Sequence, residues 1–296
     1  MVIDGKTELY GIIGNPVRHS LSPAMHNAAF SELGMNRVYV PMKVRDVEQG
    51  IAGLRALGFR GVSVTVPHKE TVIPFLDEID PVAEKIGAVN TLVFQPRQDG
   101  QVHLRGLNTD WLGAKRALED KVDVRKSRVL IIGAGGSAKA VGFGLIEAGA
   151  EVIISNRTAK NGQALADWLN CSFVPLDEVT GVSADVLINT TSVGMVPDNE
   201  GIAVPPSLLP GFSVVMDIVY APLETRLLRE AKAAACRTID GLAMLLYQGA
   251  AQFQIWTEQE APLPAMRSAL EEELGRHAVT LQNPAYTKGK AFLLNP

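Results

Sequence analysis

Residues 62–70 read VSVTVPHKE: an alternating apolar strand stops at Pro67, and a histidine, a lysine and a glutamate follow at once. A lysine in such a place is ordinarily a solvated loop residue. Placed in a cleft beside a carboxylate and hydrogen-bonding amides, Lys69 could instead accept a proton and return it. The chain offers those companions at Asn90 and in the run Asn108, Thr109, Asp110. Two hydroxyls, Ser20 and Ser22, stand at the start of the helical pattern SPAMHNAAFSELG. Ser22, directly before Pro23, reads as an N-cap with proline in the first turn. A helix start carrying two hydroxyls is also a seat for a carboxylate.

Bringing these residues together requires particular elements. LYGIIG, VYVPMKV and RGVSVTVP read as strands separated by helical patterns, which implies a mostly parallel sheet covered by helices. NTLVF and VHLRGLN are joined by the turn-rich QPRQDG, so they read as a hairpin. The start of its first strand and the end of its second share an edge, which puts Asn90 beside Asn108, Thr109 and Asp110. If parallel strands end at that edge, Thr65 and Lys69 join them, at the carboxyl end where open α/β sheets bind ligands.

After DWLGAKRALED the strand–helix rhythm restarts, and GLAMLLYQGAAQFQIW and PAMRSALEEELGR close it as two helices that should pack back on the first sheet. VLIIGAGGSAKAVGFGL places Gly133, Gly135 and Ala138 in G-x-G-x-x-A spacing between a strand and a helix. The turn Gly133, Ala134, Gly135, Gly136, Ser137 would let a pyrophosphate reach the helix N-terminus. The next strand ends in Asn156, Arg157 and Thr158, with Lys160 close by and no carboxylate for a ribose 2′-hydroxyl. A guanidinium there suits the 2′-phosphate of NADP.

The chain has 296 residues, 47 % of them hydrophobic, enough for two domains with cores of their own. Net charge is −4 with no block of like charges, so a footprint for nucleic acid is missing. Asp4, Lys6 and Glu8 stand where a signal peptide would be basic and then apolar, and no run is long enough to span a membrane. Cys171 and Cys236 match no metal or redox spacing and read as buried free thiols of a cytoplasmic protein. The five histidines are scattered and read as surface or packing residues, His26 in the middle of a helix among them.

Taken in order, NPVRHSLSPAMHNAAF, VSVTVPHKE, GAVNTL, GLNTDWLGA, GAGGSAKA, NRT, INTTSVGM, DIVYAPLETRLL and DGLAMLLYQGA resemble the shikimate dehydrogenases, from about residue 10 to residue 250. The resemblance implies NADP-linked interconversion of 3-dehydroshikimate and shikimate, on the route to chorismate and aromatic amino acids. It implies an α/β protein with an N-terminal substrate domain, residues 1–108 completed by 241–276, and a Rossmann-type NADP domain, 109–240. Residues 277–296 would be a loosely held tail. Ser20 and Ser22 would hold the substrate carboxylate. Thr65, Asn90, Asp110 and Gln248 would meet the ring hydroxyls or the catalytic lysine, Lys69, and Tyr220 would be a further substrate contact. Ile218 and Gly241 would line the nicotinamide pocket. One departure concerns the phosphate clamp: Asn161 stands where the family often has a basic residue, and the nearest base is Lys160.

Two other readings compete. A quinate/shikimate dehydrogenase would oxidise quinate and could use NAD, against which the missing carboxylate argues. A ligand-sensing homologue would keep the fold without turnover, against which Lys69 and Asp110 together argue. As a partner the sequence implies a small molecule, with neither nucleic acid nor membrane, for a monomer or homodimer.

Overall fold

The computed structural model describes residues 3–282. Two six-stranded sheets follow one another along the chain. The first contains β1 (Glu8–Gly14), β2 (Arg37–Lys43), β3 (Gly61–Val64), β4 (Glu78–Ile79), β5 (Thr91–Pro96) and β6 (Val102–Leu107), in the order β2-β1-β3-β5-β6-β4. Its helices are α1 (Ser22–Glu32), α2 (Val47–Ala56), the short α3 (His68–Thr71) and α4 (Pro81–Ile86). The helix α5 (Asp110–Glu119) then leads to the second sheet.

That sheet contains β7 (Arg128–Ile132), β8 (Glu151–Asn156), β9 (Ser172–Pro175), β10 (Val186–Asn189), β11 (Val214–Asp217) and β12 (Arg237–Ile239). Its helices are α6 (Gly136–Glu147), α7 (Ala159–Leu169) and α8 (Arg226–Ala233), and the described chain closes with α9 (Gly241–Thr257) and α10 (Leu263–Gln282). The order β9-β8-β7-β10-β11-β12 is the doubly wound dinucleotide-binding order, with its switch point between β7 and β10. Every pairing in this sheet is parallel.

The first sheet is mixed, because the hairpin inserts β5 antiparallel to both β3 and β6. Period-two alternation divides its apolar residues between two faces. Ile13, Val62, Val64, Leu92 and Leu104 form one core with α2 residues Ile51 and Leu54. Tyr10, Ile12 and Tyr39 form the other with Met25 and Phe30 of α1, and with Leu242, Leu246, Phe253, Met266 and Leu270 of the terminal helices. The terminal pair thus covers the first sheet, 130 residues or more beyond its last strand. Trp256 anchors it by donating its indole N–H to the Leu92 carbonyl at 3.0 Å. α5 lies between α9 and α6, and each crossing carries a glycine: a Cβ on Gly113 would stand 2.7 Å from the Met244 carbonyl oxygen, and one on Gly144 would stand 2.8 Å from that of Trp111.

Several local expectations are corrected. The helical pattern SPAMHNAAFSELG predicts Met25, Ala28 and Phe30 to Leu33 near one side, but α1 buries Ser22, Met25, His26, Ala29 and Phe30, the i, i+3, i+4 stripe, while Leu33 lies beyond the helix and is exposed. Cys171 is only half-buried, whereas Cys236 is buried, and both are free thiols. The helix α10 runs to Gln282, past the expected start of the tail at residue 277; residues 283–296 lie outside the described residues.

Candidate active site

The hairpin sets the geometry. Ser63 on β3 pairs with Thr91, which pairs in turn with Leu107 on β6. The residues just beyond those pairs therefore meet: Val64 donates its N–H to the Asn90 carbonyl at 2.8 Å, and Asn90 donates its own to Leu107 at 3.0 Å. Thr65 and the short α3 leave from this carboxyl edge, and α5 begins there at Asp110. The chain turns at Pro67 into α3, which leaves Val66 exposed and His68 buried, its Nε2 2.8 Å from the Val44 carbonyl oxygen. Lys69 turns the other way, half-buried, and its amine donates to Asp110 Oδ2 at 2.6 Å.

The carboxylate is held from every side. Its other oxygen, Oδ1, accepts from Asn90 Nδ2 at 2.8 Å, and the Asp110 backbone N–H donates to Asn108 Oδ1 at 2.9 Å. The Thr109 backbone N–H donates to Asn90 Oδ1 at 2.8 Å, so the amide can face Asp110 only with its nitrogen. A side chain that must hold a base is itself held by an unambiguous donor.

A cavity of about 200 Å³ opens over this pair. Ser20, Ser22, Thr65, Lys69, Asn90, Asp110, Tyr220 and Gln248 all line it, so the structure brings together every residue expected at the substrate. Its far wall carries Ser137, Ile218 and Gly241 from the second sheet's side. Burial lifts the Tyr220 phenol above its ordinary pKa, which keeps it a protonated donor.

Ser22 is not the N-cap. Leu21 already has helical backbone angles, and no side chain caps α1 in the usual sense; Ser20 Oγ accepts the Ser22 N–H at 3.2 Å instead. Ser22 sits inside the first turn, buried, with its hydroxyl toward the Tyr39 phenol. Seven liners escaped notice in the sequence: Ile12, Leu21, Ser63, Val64, Met244, Leu245 and Gln252. Gln252 had a usable signal, because Gln248 and Gln252 are one turn apart on one face of a mostly apolar helix.

The remaining expected cofactor residues, Gly133, Ala134, Gly135, Gly136, Asn156, Arg157, Thr158 and Lys160, lie away from that cavity, at the carboxyl ends of β7 and β8. They fit a dinucleotide. Gly133 has φ +121°, and a Cβ there would stand 2.5 Å from Thr190 Oγ1 at the switch point. Gly135 and Gly136 open on space that holds no atom within 4 Å of a built Cβ, and no side chain caps the start of α6. That leaves room and backbone N–H groups for a pyrophosphate. Asn156 Nδ2 donates to the Thr158 carbonyl at 3.0 Å and shapes the turn, while Arg157 and Lys160 are exposed with no hydrogen bond or ion pair among the described residues.

Known proteins share this arrangement. The profile of the shikimate dehydrogenase substrate binding domain matches residues 12–92, that of shikimate / quinate 5-dehydrogenase residues 114–198, and that of the shikimate 5'-dehydrogenase C-terminal domain residues 241–271. Shikimate dehydrogenase (NADP(+)) of Moorella thermoacetica is 45 % identical over 287 residues, covering 92 % of this chain and 96 % of its own. The crystal structure of the Thermus thermophilus shikimate 5-dehydrogenase in complex with NADP(H) and shikimate superposes with a TM-score of 0.82 at 38 % identity, covering 90 % of this chain and 99 % of that one. Quinate dehydrogenase from Corynebacterium glutamicum in complex with NAD superposes with a TM-score of 0.81 at 32 % identity, covering 90 % and 99 %. With the same order of domains, the same two sheets and identity near one half along nine-tenths of its length, this chain belongs to the shikimate dehydrogenase family.

Proposed function

We infer that the cleft interconverts 3-dehydroshikimate and shikimate with NADP(H). The observation that carries the reading is the Lys69–Asp110 pair, at 2.6 Å, in a cavity whose far wall reaches Ser137 at the head of the dinucleotide helix. Ser20 and Ser22 take the substrate carboxylate, with the Tyr220 phenol as a further contact. Thr65, Asn90, Asp110 and Gln248 take the ring hydroxyls. Gly133, Ala134, Gly135, Gly136 and Ser137 hold the pyrophosphate; Asn156, Arg157, Thr158 and Lys160 hold the 2′-phosphate end; Ile218 and Gly241 line the nicotinamide side. NADPH, when bound, supplies a hydride to the carbonyl carbon.

The chain's own part is proton transfer. Lys69 gives a proton to the carbonyl oxygen as it becomes the hydroxyl, and takes it back in the reverse direction. Asp110 aims the amine, and Asn90 aims Asp110. The same reading assigns residues 1–108 with 241–276 to the substrate and 109–240 to the cofactor, in a cytoplasmic protein whose two cysteines are free. The same reading takes the protein as a monomer or a homodimer acting on a small molecule. No helix among the described residues is long and apolar enough to cross a membrane.

The test is nicotinamide absorbance with purified protein and shikimate or quinate, each with NADP or NAD. Fastest turnover with shikimate and NADP supports the reading. Preference for quinate and NAD replaces it with a quinate dehydrogenase, and tight shikimate binding without turnover replaces it with a sensor.

A further inference from the structure

At the cavity floor, where Ser63 and Gln252 line it, and beneath it lies a run of buried polar side chains that the mechanism above does not use. Tyr39, Ser63, Thr91 and Gln252 are each at most 5 % exposed, on β2, β3, β5 and α9. Buried polar groups in this number persist only when they are paired, and here each has its partner. Tyr39 Oη lies 2.6 Å from Ser63 Oγ, and Ser63 Oγ lies 2.8 Å from Gln252 Oε1. Gln252 Nε2 lies 3.0 Å from the Asn90 carbonyl oxygen and 3.0 Å from Thr91 Oγ1. Thr91 Oγ1 lies 2.6 Å from Asn90 Oδ1, on the amide that holds Asp110.

The direction of every bond follows from two groups that have no choice. A backbone carbonyl only accepts, so the nitrogen of Gln252 must face Asn90 and its oxygen must face Ser63. Ser63 then donates to Gln252, and Tyr39 donates to Ser63. Thr91 accepts from Gln252, which commits its own proton to Asn90 Oδ1. That oxygen also accepts the Thr109 backbone N–H, the second group without a choice. All the donors run one way, from Tyr39 to the carboxylate, and successive bonds of one sense polarise one another. The far end touches the substrate region as well, since the Ser22 hydroxyl lies against the Tyr39 phenol.

We propose that Gln252 and Thr91 are positioning residues for proton transfer at Lys69, acting through Asn90 to hold the Asp110 carboxylate in register with the amine. Gln252 clamps the Asn90 backbone and the Thr91 rotor; Thr91 saturates the Asn90 oxygen, leaving the amide N–H to point at Asp110. Neither needs to touch the reacting atoms. This inference rests on the reading of Lys69 as the proton-transfer group.

The experiment compares Thr91→Val, which keeps the shape and removes the donor, with Thr91→Ser, which restores it. Gln252→Met is the third variant, and the intact wild-type chain is assayed beside them with shikimate and NADP. Thr91→Val and Gln252→Met should lower kcat roughly 10- to 100-fold, the range expected when a reacting group is misplaced by a fraction of an ångström to one ångström. For Thr91→Val the KM for shikimate should change less than threefold or so, because Thr91 does not line the cavity and the lining residues stay in place. Thr91→Ser should recover most of the kcat. Equal kcat in Thr91→Val and Thr91→Ser, with only the melting temperature lowered, overturns the proposal and leaves the chain a packing device. Thr91→Val and Thr91→Ser both fold or fail on packing alone, so a folded Gln252→Met with wild-type kcat overturns it independently. Absence of wild-type turnover would instead sink the assigned reaction and not this relay.

Discussion

Gly113 on α5 packs backbone against backbone on Met244 of α9, so closely that a Cβ would also stand 2.9 Å from the Gln248 amide nitrogen. One helix begins with Asp110 and the other carries Gln248 and Gln252, so this crossing sets the width of the site. Gly113→Ala should force the helices apart, costing about 1–3 kcal/mol of stability as overpacking does. It should also lower kcat, because Asp110 and Gln248 move with their helices. Urea melts and steady-state kinetics on the same preparation check both.

Lys69→Met should reduce turnover by ~10²–10⁴-fold, the usual contribution of a general acid–base group. Shikimate affinity, measured by titration, should stay near that of the wild type, since similar bulk remains in the cavity. A fully active variant removes Lys69 from the mechanism.

Arg157→Ala should raise the KM for NADP by roughly 10–150-fold, the loss of a charge-assisted hydrogen bond worth ~1.5–3 kcal/mol. NAD has no 2′-phosphate, so its kinetics should hold. The guanidinium has no partner among the described residues, which leaves it available for a ligand. Equal losses with both coenzymes would move the clamp to Lys160.

Ser22→Ala separates two roles that the sequence alone superimposes. A lost N-cap costs ~1 kcal/mol, but this serine lies within the helix and caps nothing. The variant should therefore bind shikimate more weakly while its melting temperature stays close to that of the wild type. A drop in stability of the full capping size with unchanged binding would reverse that assignment.

His26 supplies a pH signature in stability. Its ring is fully buried, stacked on Tyr39 at 4.5 Å between ring centres, and burial lowers its pKa from 6.5 to about 3. Below pH 6.5 the unfolded chain takes up a proton that the folded chain refuses, so stability falls as pH falls, until about pH 3. The slope approaches ~1.4 kcal/mol per pH unit, or about 2 kcal/mol between pH 6.5 and 5. Above pH 6.5 the contribution is constant. His26→Leu should lose stability less steeply over that window, and parallel slopes for variant and wild type would show that His26 is not responsible.

Much of this was legible in the residues, and unevenly so. QPRQDG announced the hairpin, and the hairpin alone predicts that Asn90 meets Asp110, because antiparallel register leaves no alternative once the turn is short. The glycine turn announced the second sheet through its flanking strand and helix. Strands β4, β9 and β12, of two to four residues at sheet edges or near them, are too short to show any period. The Ser22 cap was misread because serine before proline looks the same whether the helix starts at that residue or one earlier. The polar chain at the cavity floor stayed hidden for another reason: it joins four elements with one residue from each, so no local spacing announces it.

The dependence of the first sheet on α9 and α10 also has a consequence for how the protein is made. Translation delivers β1 to β6 early, but the sheet face that carries Tyr10 and Tyr39 is covered only in part by Met25 and Phe30 of α1, and its cover is completed by residues 242–270. The second sheet, complete at Ile239, can close while the first still lacks Leu242, Phe253 and Met266. On the ribosome, the half that emerges first is thus the half that finishes last. Lys69 and Asp110 wait for helices that begin about 130 residues after β6.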